Sequence, residues 1–402
     1  LHVVRILGSL YTSLPQTYCQ KDLIPMKVSC LQENLARGLS MVSRAVAPRS
    51  TLQVLGNVLV ATEEGRLRLS ATNLEMGITC WIGAKIQEEG ATTVPARTFV
   101  DLVNTLPSDQ VDMDLAVRTQ TLNLRCGAFN NDIKCIDAQE FPPLPPADLE
   151  EGLTLNVDDL REMIAQTALA ASTDDARPVL TGVLIEVEGG ELTLAAADGF
   201  RLSVRSAHLP SPDFGPLRAI IPARALSELG RVLSDGEEEV SMSMPANRSQ
   251  VIFRAKDVEL VSQLIEGTFP DYRSIIPSSH NTRMVVSTAP FLKACKAAEI
   301  FAREAAHSAR LLITPGSKAD PGTLRMSATA AETGSNETTV DATVDGEEIE
   351  IAFNVRFLLD VLGVIDTPNV ALETTTSSSP GVIRPVGRED FLHVIMPMNL
   401  GR

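Results

Sequence analysis

The side chains best suited to proton transfer, nucleophilic attack or metal binding are thinly and irregularly spread along this chain. Its histidines are His2, His208, His280, His307 and His393, and its cysteines are Cys19, Cys30, Cys80, Cys126, Cys135 and Cys295. No two cysteines form a C-x-x-C pair, and no His/Cys cluster has the spacing of zinc ligands. The phosphate-cradling G-x-x-x-x-G-K-[ST] loop, the H-E-x-x-H helix and the dinucleotide G-x-G-x-x-G turn are missing as well. Carboxylates remain: Asp158-Asp159 and Asp174-Asp175 are adjacent pairs of the kind a carboxylate-based hydrolase uses. Asp158-Asp159, however, stands where a helix begins, and acids there favour the positive end of the helix dipole. Asp198-Gly199 reads as a turn. These residues predict no catalytic group, no metal and no cofactor, and thiols that stay reduced in a cytoplasm.

One chemically capable residue does recur in step. Arg97, Arg224 and Arg356 close the phrases Thr93-Val94-Pro95-Ala96-Arg97, Ile220-Ile221-Pro222-Ala223-Arg224 and Phe353-Asn354-Val355-Arg356, at intervals of 127 and 132 residues. A guanidinium in this setting can hold phosphate without reading bases. Taken singly, each is as easily an ordinary solvated charge; the recurrence favours a shared role.

The elements that must position these arginines repeat with them. Each phrase reads as a short apolar strand, a Pro or Asn helix-start signal and an amphipathic helix. A second set, Leu67–Thr72, Leu192–Ala197 and Leu324–Thr329, keeps nearly the same period, and a third is read in Phe141-Pro142, Phe269-Pro270 and Met396-Pro397. Each unit also opens with a helical pattern: Leu31/Leu35/Leu39/Val42/Val46, then Leu160/Met163/Ile164/Thr167, then Leu292/Cys295/Ala298/Ala302. Periods this long mean tandem domains, and the mixture of helices with alternating strands predicts α+β units with antiparallel sheets. Prolines 142, 143, 145 and 146 and the Pro277-Ser278-Ser279 turn mark connectors, which places domains at 26–148, 149–280 and 281–402. Residues 1–25, upstream of the first methionine, Met26, are read as an extension outside the repeated fold.

The formal net charge of −16 argues against wholesale nucleic-acid binding, yet the sign is unevenly distributed. Arg37, Arg44, Arg49, Arg97, Arg161, Arg224, Arg231, Lys293, Lys296, Arg303 and Arg356 lie on or beside the helical segments. Acids crowd turns and strands, as in Glu150-Glu151, Glu237-Glu238-Glu239 and Glu347-Glu348. If the helices share a face, that face is basic while the remainder is acidic. No run approaches the apolar length of a membrane span, so a cytoplasmic protein without membrane contact is expected.

Four ordered motifs then carry a specific resemblance: Ala197-Asp198-Gly199-Phe200-Arg201-Leu202, the run Gln263–Arg273, the run Phe353–Leu362, and Val394-Ile395-Met396-Pro397-Met398-Asn399-Leu400. From Met26 to Leu400 the chain resembles the beta subunit of bacterial DNA polymerase III. The resemblance implies three tandem clamp domains, with sheets outside and helices on the inner face. It further implies two chains closed head to tail into a ring, and a processivity clamp without catalysis of its own. Its implied partners are double-stranded DNA bound without sequence preference, the polymerase alpha subunit, the clamp loader, other proteins bearing clamp-binding motifs, and a second copy of the chain. A non-replicative paralogue would share the same repeats and pocket.

The resemblance also assigns residues. A peptide pocket between the second and third domains maps onto Leu180, Gly199, Phe200, Arg201, Leu202, Pro270, Ile275, Asn354, Phe357, Val394, Ile395, Met396, Pro397, Met398 and Leu400. By its residues alone, Val-Ile-Met-Pro-Met at a chain end is either an adaptable binding surface or a final strand tucked into its own core. Phe200 stands where some members carry His, Ser274 where some carry Arg, and Asn399 replaces a basic residue, so this pocket is expected to be more apolar. DNA contact maps onto Arg49, Arg224 and Arg177. A ring joint maps onto Ile133 against Ile300 and Phe301, apolar residues that suit a core equally well.

Overall fold

The computed structural model describes residues 26–47, 49–144, 152–209, 215–233, 238–245, 249–317 and 321–399. Residues 1–25, Pro145, Pro146, Glu150-Glu151, Glu237 and Leu400 lie outside the described residues. The chain divides into two compact bodies, one made by residues up to Asn73 with Ile78–Pro143, the other by Leu74–Gly77 with Leu144 onward.

In the first body, helix α1 (Gln32–Val42) follows the strand Lys27–Leu31, and helix α2 (Ala96–Thr105) follows the strand Ala91–Pro95. One antiparallel sheet runs in the order Lys85–Glu88, Lys27–Leu31, Gln110–Ala116, Thr121–Cys126, Phe129–Lys134. A second ladder joins Arg66–Thr72 to Asn57–Glu63 and that strand to Ala91–Pro95. Alternation decides which side faces in: Val111, Met113 and Leu115 of Gln110–Ala116 are buried while their neighbours are exposed. The α1 stripe is Leu35, Leu39 and Val42. Leu31 is not part of it: it ends the preceding strand and is 57% exposed, because the chain turns into the helix at Gln32.

The second body contains two further repeats of the same order. Helices α3 (Val157–Ala168) and α4 (Ala223–Val232) pack on each other in the first, α5 (Thr288–Ala302) and α6 (Val355–Leu362) in the second. Pro222 and Asn354 are N-caps, and Asn354 Oδ1 accepts the Arg356 N–H at 3.0 Å. Asn156 caps α3, with Asp158 and Asp159 in its first turn, where the dipole welcomes negative charge. The buried stripe of α5 starts at Phe291 and runs through Ala294, Cys295, Ala298 and Ala302; Leu292 is only half-buried.

Four strands from one side of the seam and eight from the other meet in one twelve-stranded antiparallel sheet. Leu217–Pro222, Gly182–Glu188, Glu191–Ala197 and Arg201–His208 are followed directly by Phe391–Ile395, Gly381–Pro385, Asn369–Thr374 and Thr282–Ser287, and the sheet continues to Ile349–Asn354. At the seam Arg201 pairs with Ile395, Ser203 with His393 and Arg205 with Phe391. A separate ladder joins Leu153–Asn156, Glu239–Ser243, Gln250–Arg254 and Val258–Gln263.

The third repeated phrase is not a structural repeat. Phe141-Pro142 and Phe269-Pro270 follow the last strand of their repeats after an intervening connector, whereas Met396-Pro397 directly abuts the strand Phe391–Ile395. The first two begin links onward to another domain.

Gly381 shows how tightly this core is filled. A Cβ there would stand 2.5 Å from the Phe353 ring, which is fully buried and cannot swing away. Gly381→Ala is therefore expected to destabilise the chain by about 1–3 kcal/mol through overpacking, measured by denaturant unfolding.

Candidate functional site

The turn between Glu191–Ala197 and Arg201–His208 is built by Asp198 and Gly199. Gly199 has φ +94°, a left-handed conformation that suits glycine, and Asp198 Oδ1 accepts the N–H groups of Phe200 at 2.8 Å and Arg201 at 3.0 Å. One oxygen of the carboxylate is thus committed to backbone. This locked turn pushes Phe200 outward, where it is 62% exposed.

The chain end comes to the same place. Val394-Ile395-Met396-Pro397-Met398 is not an exposed tail. Val394 and Ile395 are buried because the strand Phe391–Ile395 has neighbours on both edges. Only then does the chain surface: the Met396 N–H donates to the Phe200 carbonyl at 2.8 Å, the Met398 N–H to the Ala352 carbonyl at 2.8 Å, and Met396 is 40% exposed. Leu202 and Val394 belong to a buried cluster with Phe269, Tyr272 and Val382, against which Val179, Ile265 and Ile276 are packed. Leu202 and Val394 are accordingly floor, not rim, whereas Ile395 faces the other side of the sheet, into the core of the third repeat. Phe200, Ile275, Pro270 and Met396 are exposed above this floor, and Leu180, Asn354, Phe357, Pro397 and Met398 are half-buried.

Arg201 is spent within the protein. Its Nε lies 3.1 Å from Asp198 Oδ2 and its Nη1 2.6 Å from Asp360 Oδ2 of α6, while its guanidinium lies 4.3 Å from the centre of the Phe357 ring. It clamps the Gly199 turn to the third repeat rather than presenting a free charge.

A second ionic link crosses the same seam. Glu162 of α3 takes Arg388 through 2.6 and 3.1 Å contacts and Arg205 at 3.4 Å, and Asp390 takes both arginines. Arg205 has a side chain only 4% exposed. Hydrogen bonding from Arg388, working against the cost of burial, holds the Glu162 carboxyl below its ordinary range. Between the two links lies His393, fully buried, whose Nδ1 is 2.6 Å from the Ser203 hydroxyl. Burial, reinforced by Arg201, lowers its pKa from 6.5 to about 3.

The three recurring arginines occupy one local position. Arg97, Arg224 and Arg356 are each the second residue of their helices, α2, α4 and α6, and each is exposed. A cation there faces the positive end of the helix dipole, which costs about 0.3–1 kcal/mol, so helix stability does not explain it. Only Arg97 has an acid near it, Asp101 at 3.9 Å, among the described residues. Arg49 is exposed in the loop after α1. Arg177 sits elsewhere: its guanidinium reaches Asp174 at 3.7 Å and the Asp198 carbonyl at 3.3 Å, beside the Gly199 turn.

Ile133 is buried in the edge strand Phe129–Lys134, whereas Phe129 of the same strand is exposed, a residue the motifs did not single out. Ile300 is 60% exposed near the end of α5, and Phe301 packs partly on the core of its own repeat. The thiols are passive: burial, aided by Asp112, pushes Cys30 up to about 12, and burial raises Cys295 further.

Models of the DNA polymerase III beta subunit match in order: its N-terminal domain over residues 26–145, its central domain over 154–271 and its C-terminal domain over 273–399. The chain belongs to the DNA polymerase III beta subunit family. The beta sliding clamp of Synechococcus elongatus is 32% identical over 381 residues, covering 93% of this chain and all of that one. That of Bacillus subtilis is 30% identical, covering 93% of this chain and 99% of the relative. The crystal structure of the Bacillus subtilis clamp superposes with a TM-score of 0.86 at 28% identity over 94% of this chain and 100% of that chain. The Pseudomonas aeruginosa clamp bound to griselimycin gives 0.85 at 30% identity over 93% of this chain and 100% of that one.

Membership makes the three repeats tandem clamp domains and the chain a processivity clamp, an accessory of DNA polymerase rather than an enzyme. DNA, a DNA polymerase and a second copy of the chain come with the family as partners. Among the described residues no helix is long and apolar enough to cross a membrane.

The folded state keeps His393 neutral well below pH 6.5, where an unfolded chain would bind a proton. Stability from this group is therefore present above pH 6.5 and is lost as pH falls toward 3. Thermal melts from pH 7 to pH 4 should show a steeper decline for the native chain than for His393→Leu; parallel curves would contradict this role.

Proposed function

We propose that the surface around Phe200, Ile275 and Met396, floored by Leu202 and Val394 with Ile395 bracing the strand from its other face, is the peptide groove through which this clamp carries its partners. The observation that carries the reading is that Phe200 and Met396, joined by a main-chain hydrogen bond, both expose apolar side chains beside the buried cluster of Leu202 and Val394. A monomer gains nothing by exposing them, whereas a short linear segment with bulky apolar residues covers them. Methionine suits a site that accepts several ligands. The partners proposed here are the polymerase alpha subunit, the clamp loader and other proteins with clamp-binding segments, with Leu180, Pro270, Asn354, Phe357, Pro397, Met398 and Leu400 completing the wall. Gly199 and Arg201 shape the groove, and Arg177 belongs with them more naturally than with DNA. Domains are proposed at 26–148, 149–280 and 281–402.

Arg49 and Arg224, joined by Arg97 and Arg356, are proposed to touch duplex DNA through phosphates alone. Such contacts are weak and sequence-blind, so a closed ring retains the duplex by topology and still slides. Ring closure is proposed to use edge strands that the chain leaves unpaired. Arg201–His208 takes Phe391–Ile395 at its outer edge, and the corresponding strand of the third repeat is Gly334–Gly346, whose residues 334–341 pair, among the described residues, only with Gly322–Ala330. Its counterpart in a second copy is the edge strand Phe129–Lys134, with Phe129, Ile133, Ile300 and Phe301 at the joint.

Three outcomes test this. Met396→Ala and Phe200→Ala should each weaken binding of a polymerase-derived peptide by about 1–3 kcal/mol in titration calorimetry, with solution mass unchanged. Retention on circular DNA should exceed retention on linear DNA after loading; equal retention would exclude threading. Neutralising Arg49 and Arg224 should reduce the slope of log affinity against log salt by about 0.9 for each phosphate that is no longer neutralised.

A further inference from the structure

The seam inside the second body is a template for two strand edges that the chain leaves open. Glu191–Ala197 and Gly322–Ala330 are counterparts in the repeat, and each pairs with the strand after it, Ala197 with Leu202 and Thr329 with Ser335. Gly334, Asn336 and Thr338 therefore hold the positions of Arg201, Ser203 and Arg205. For the other edge, Ser287 and Leu31 immediately precede α5 and α1 and pair with Asn369 and Gln110. Counted from there, Glu373 pairs with Val382 and Val382 with Val394, just as Asp114 pairs with Asn123 and Asn123 with Asp132. Phe129, Asn131 and Ile133 are thus the counterparts of Phe391, His393 and Ile395. The phenylalanine is kept, but Phe391 is 1% exposed within the seam and Phe129 is 48% exposed on its edge strand.

In the seam Arg201 faces Ile395, Ser203 faces His393 and Arg205 faces Phe391. The same register across two copies sets Gly334 against Ile133, Asn336 against Asn131 and Thr338 against Phe129. The glycine suits this: the Phe301 ring lies 4.0 Å from where a Gly334 Cβ would stand, so Ile133 meets an open position beside an aromatic ring.

The ionic link of the seam does not carry over. Arg205 is replaced by Thr338, and Glu162, the sixth residue of α3, by Lys293, the sixth of α5. The loop 386–390 that carries Arg388 and Asp390 shrinks to Gly127-Ala128 between the paired Cys126 and Phe129. The two remaining rows set Asp132 against Ser335 and Asn130 against Glu337, so no row matches an acid to a base.

We propose that two copies join in this register and that the joint, unlike the seam, has no ionic lock: main-chain bonds and the apolar contact of Phe129, Ile133 and Phe301 hold it. The proposal rests on ring closure through these edges and adds the residue register and the chemistry of the contact. Two chains of net charge −16 repel each other, and salt screens that repulsion with no paired charges at the joint to weaken. Salt therefore does not loosen the joint.

The first test is sedimentation equilibrium of the full chain between about 0.1 and about 1 M sodium chloride. The dimer dissociation constant should fall or hold steady; a rise would overturn the uncharged joint and leave the ring standing. Register is tested separately. In the seam the Met396 N–H bonds to the Phe200 carbonyl and the Ser206 N–H to the Asp390 carbonyl, which makes Ser203 and His393 a non-hydrogen-bonded pair. Such pairs bring Cα atoms to about 4.5 Å, within disulfide reach. Asn131→Cys combined with Asn336→Cys should therefore give a covalently doubled mass under mild oxidation. Asn131→Cys with Thr338→Cys, a slip of two residues, should cross-link far more slowly, and the unsubstituted chain not at all. Equal or faster cross-linking in the slipped pair, or none in either pair of a dimeric chain, would overturn the register. A chain that stays monomeric at every salt concentration would overturn ring closure itself, and the joint with it.

Discussion

The main-chain ladder between Arg201–Arg205 and Phe391–Ile395 governs the second body, because it forces the last strand of the chain to be an interior strand of a sheet that two domains share. An interior strand has no solvent on either edge and little on either face, so most polar groups at the seam find protein partners, although His393 Nε2 and Arg205 Nε are buried without one among the described residues. Ser203 meets His393, and Arg205 meets Asp390 and Glu162. On the opposite face Leu202 and Val394 enter an apolar cluster. The seam is therefore bonded through main chain, ion pairs and apolar contact together. A hinge at this position would have to break all three.

The groove is a consequence of that seam. Once Phe391–Ile395 is fixed, the residues beyond it emerge beside the Gly199 turn, and the Met396 N–H is held by the carbonyl of Phe200. Rigid walls with exposed apolar tips favour binding, since little conformational entropy is lost when a ligand covers them. Arg201 contributes indirectly, by holding the turn against α6 through Asp360 and Phe357. The proposed groove thus draws on groups from two domains whose relative placement the ladder secures.

Charge follows a different logic. Stability would place acids, not arginines, at the start of α2, α4 and α6, so helix stability does not account for the repeated exception. Acidic turns and strands elsewhere keep the chain anionic overall, at a formal net charge of −16. Weak local attraction combined with topological retention is consistent with a protein that must hold DNA and still move along it.

The repeats and their helix starts were legible in the residues because they are local: a Pro or Asn cap, a 3.6-residue stripe and a two-residue alternation each act within a few positions of chain. Arg97, Arg224 and Arg356 were found that way, as was the Asp198-Gly199 turn. The groove residues came from whole motifs, and their division into floor and rim was not readable, because Val394 is buried by Leu202 across the ladder and His393 by Ser203, 190 residues away. The same holds for the Met396-Pro397 pair, whose resemblance to two earlier connectors was compositional, and for Leu31, whose apolar side chain fits the helical stripe by spacing yet ends a strand. The ionic cluster at Glu162 had no signal in the sequence at all: Glu162, Arg205, Arg388 and Asp390 come together only when distant elements pack. Sequence by itself determined the three-part architecture and its cationic helix starts. Tertiary structure decided which apolar residues face a ligand and which charges gather around one carboxylate, since burial and charge balance depend on neighbours that the chain supplies from far away.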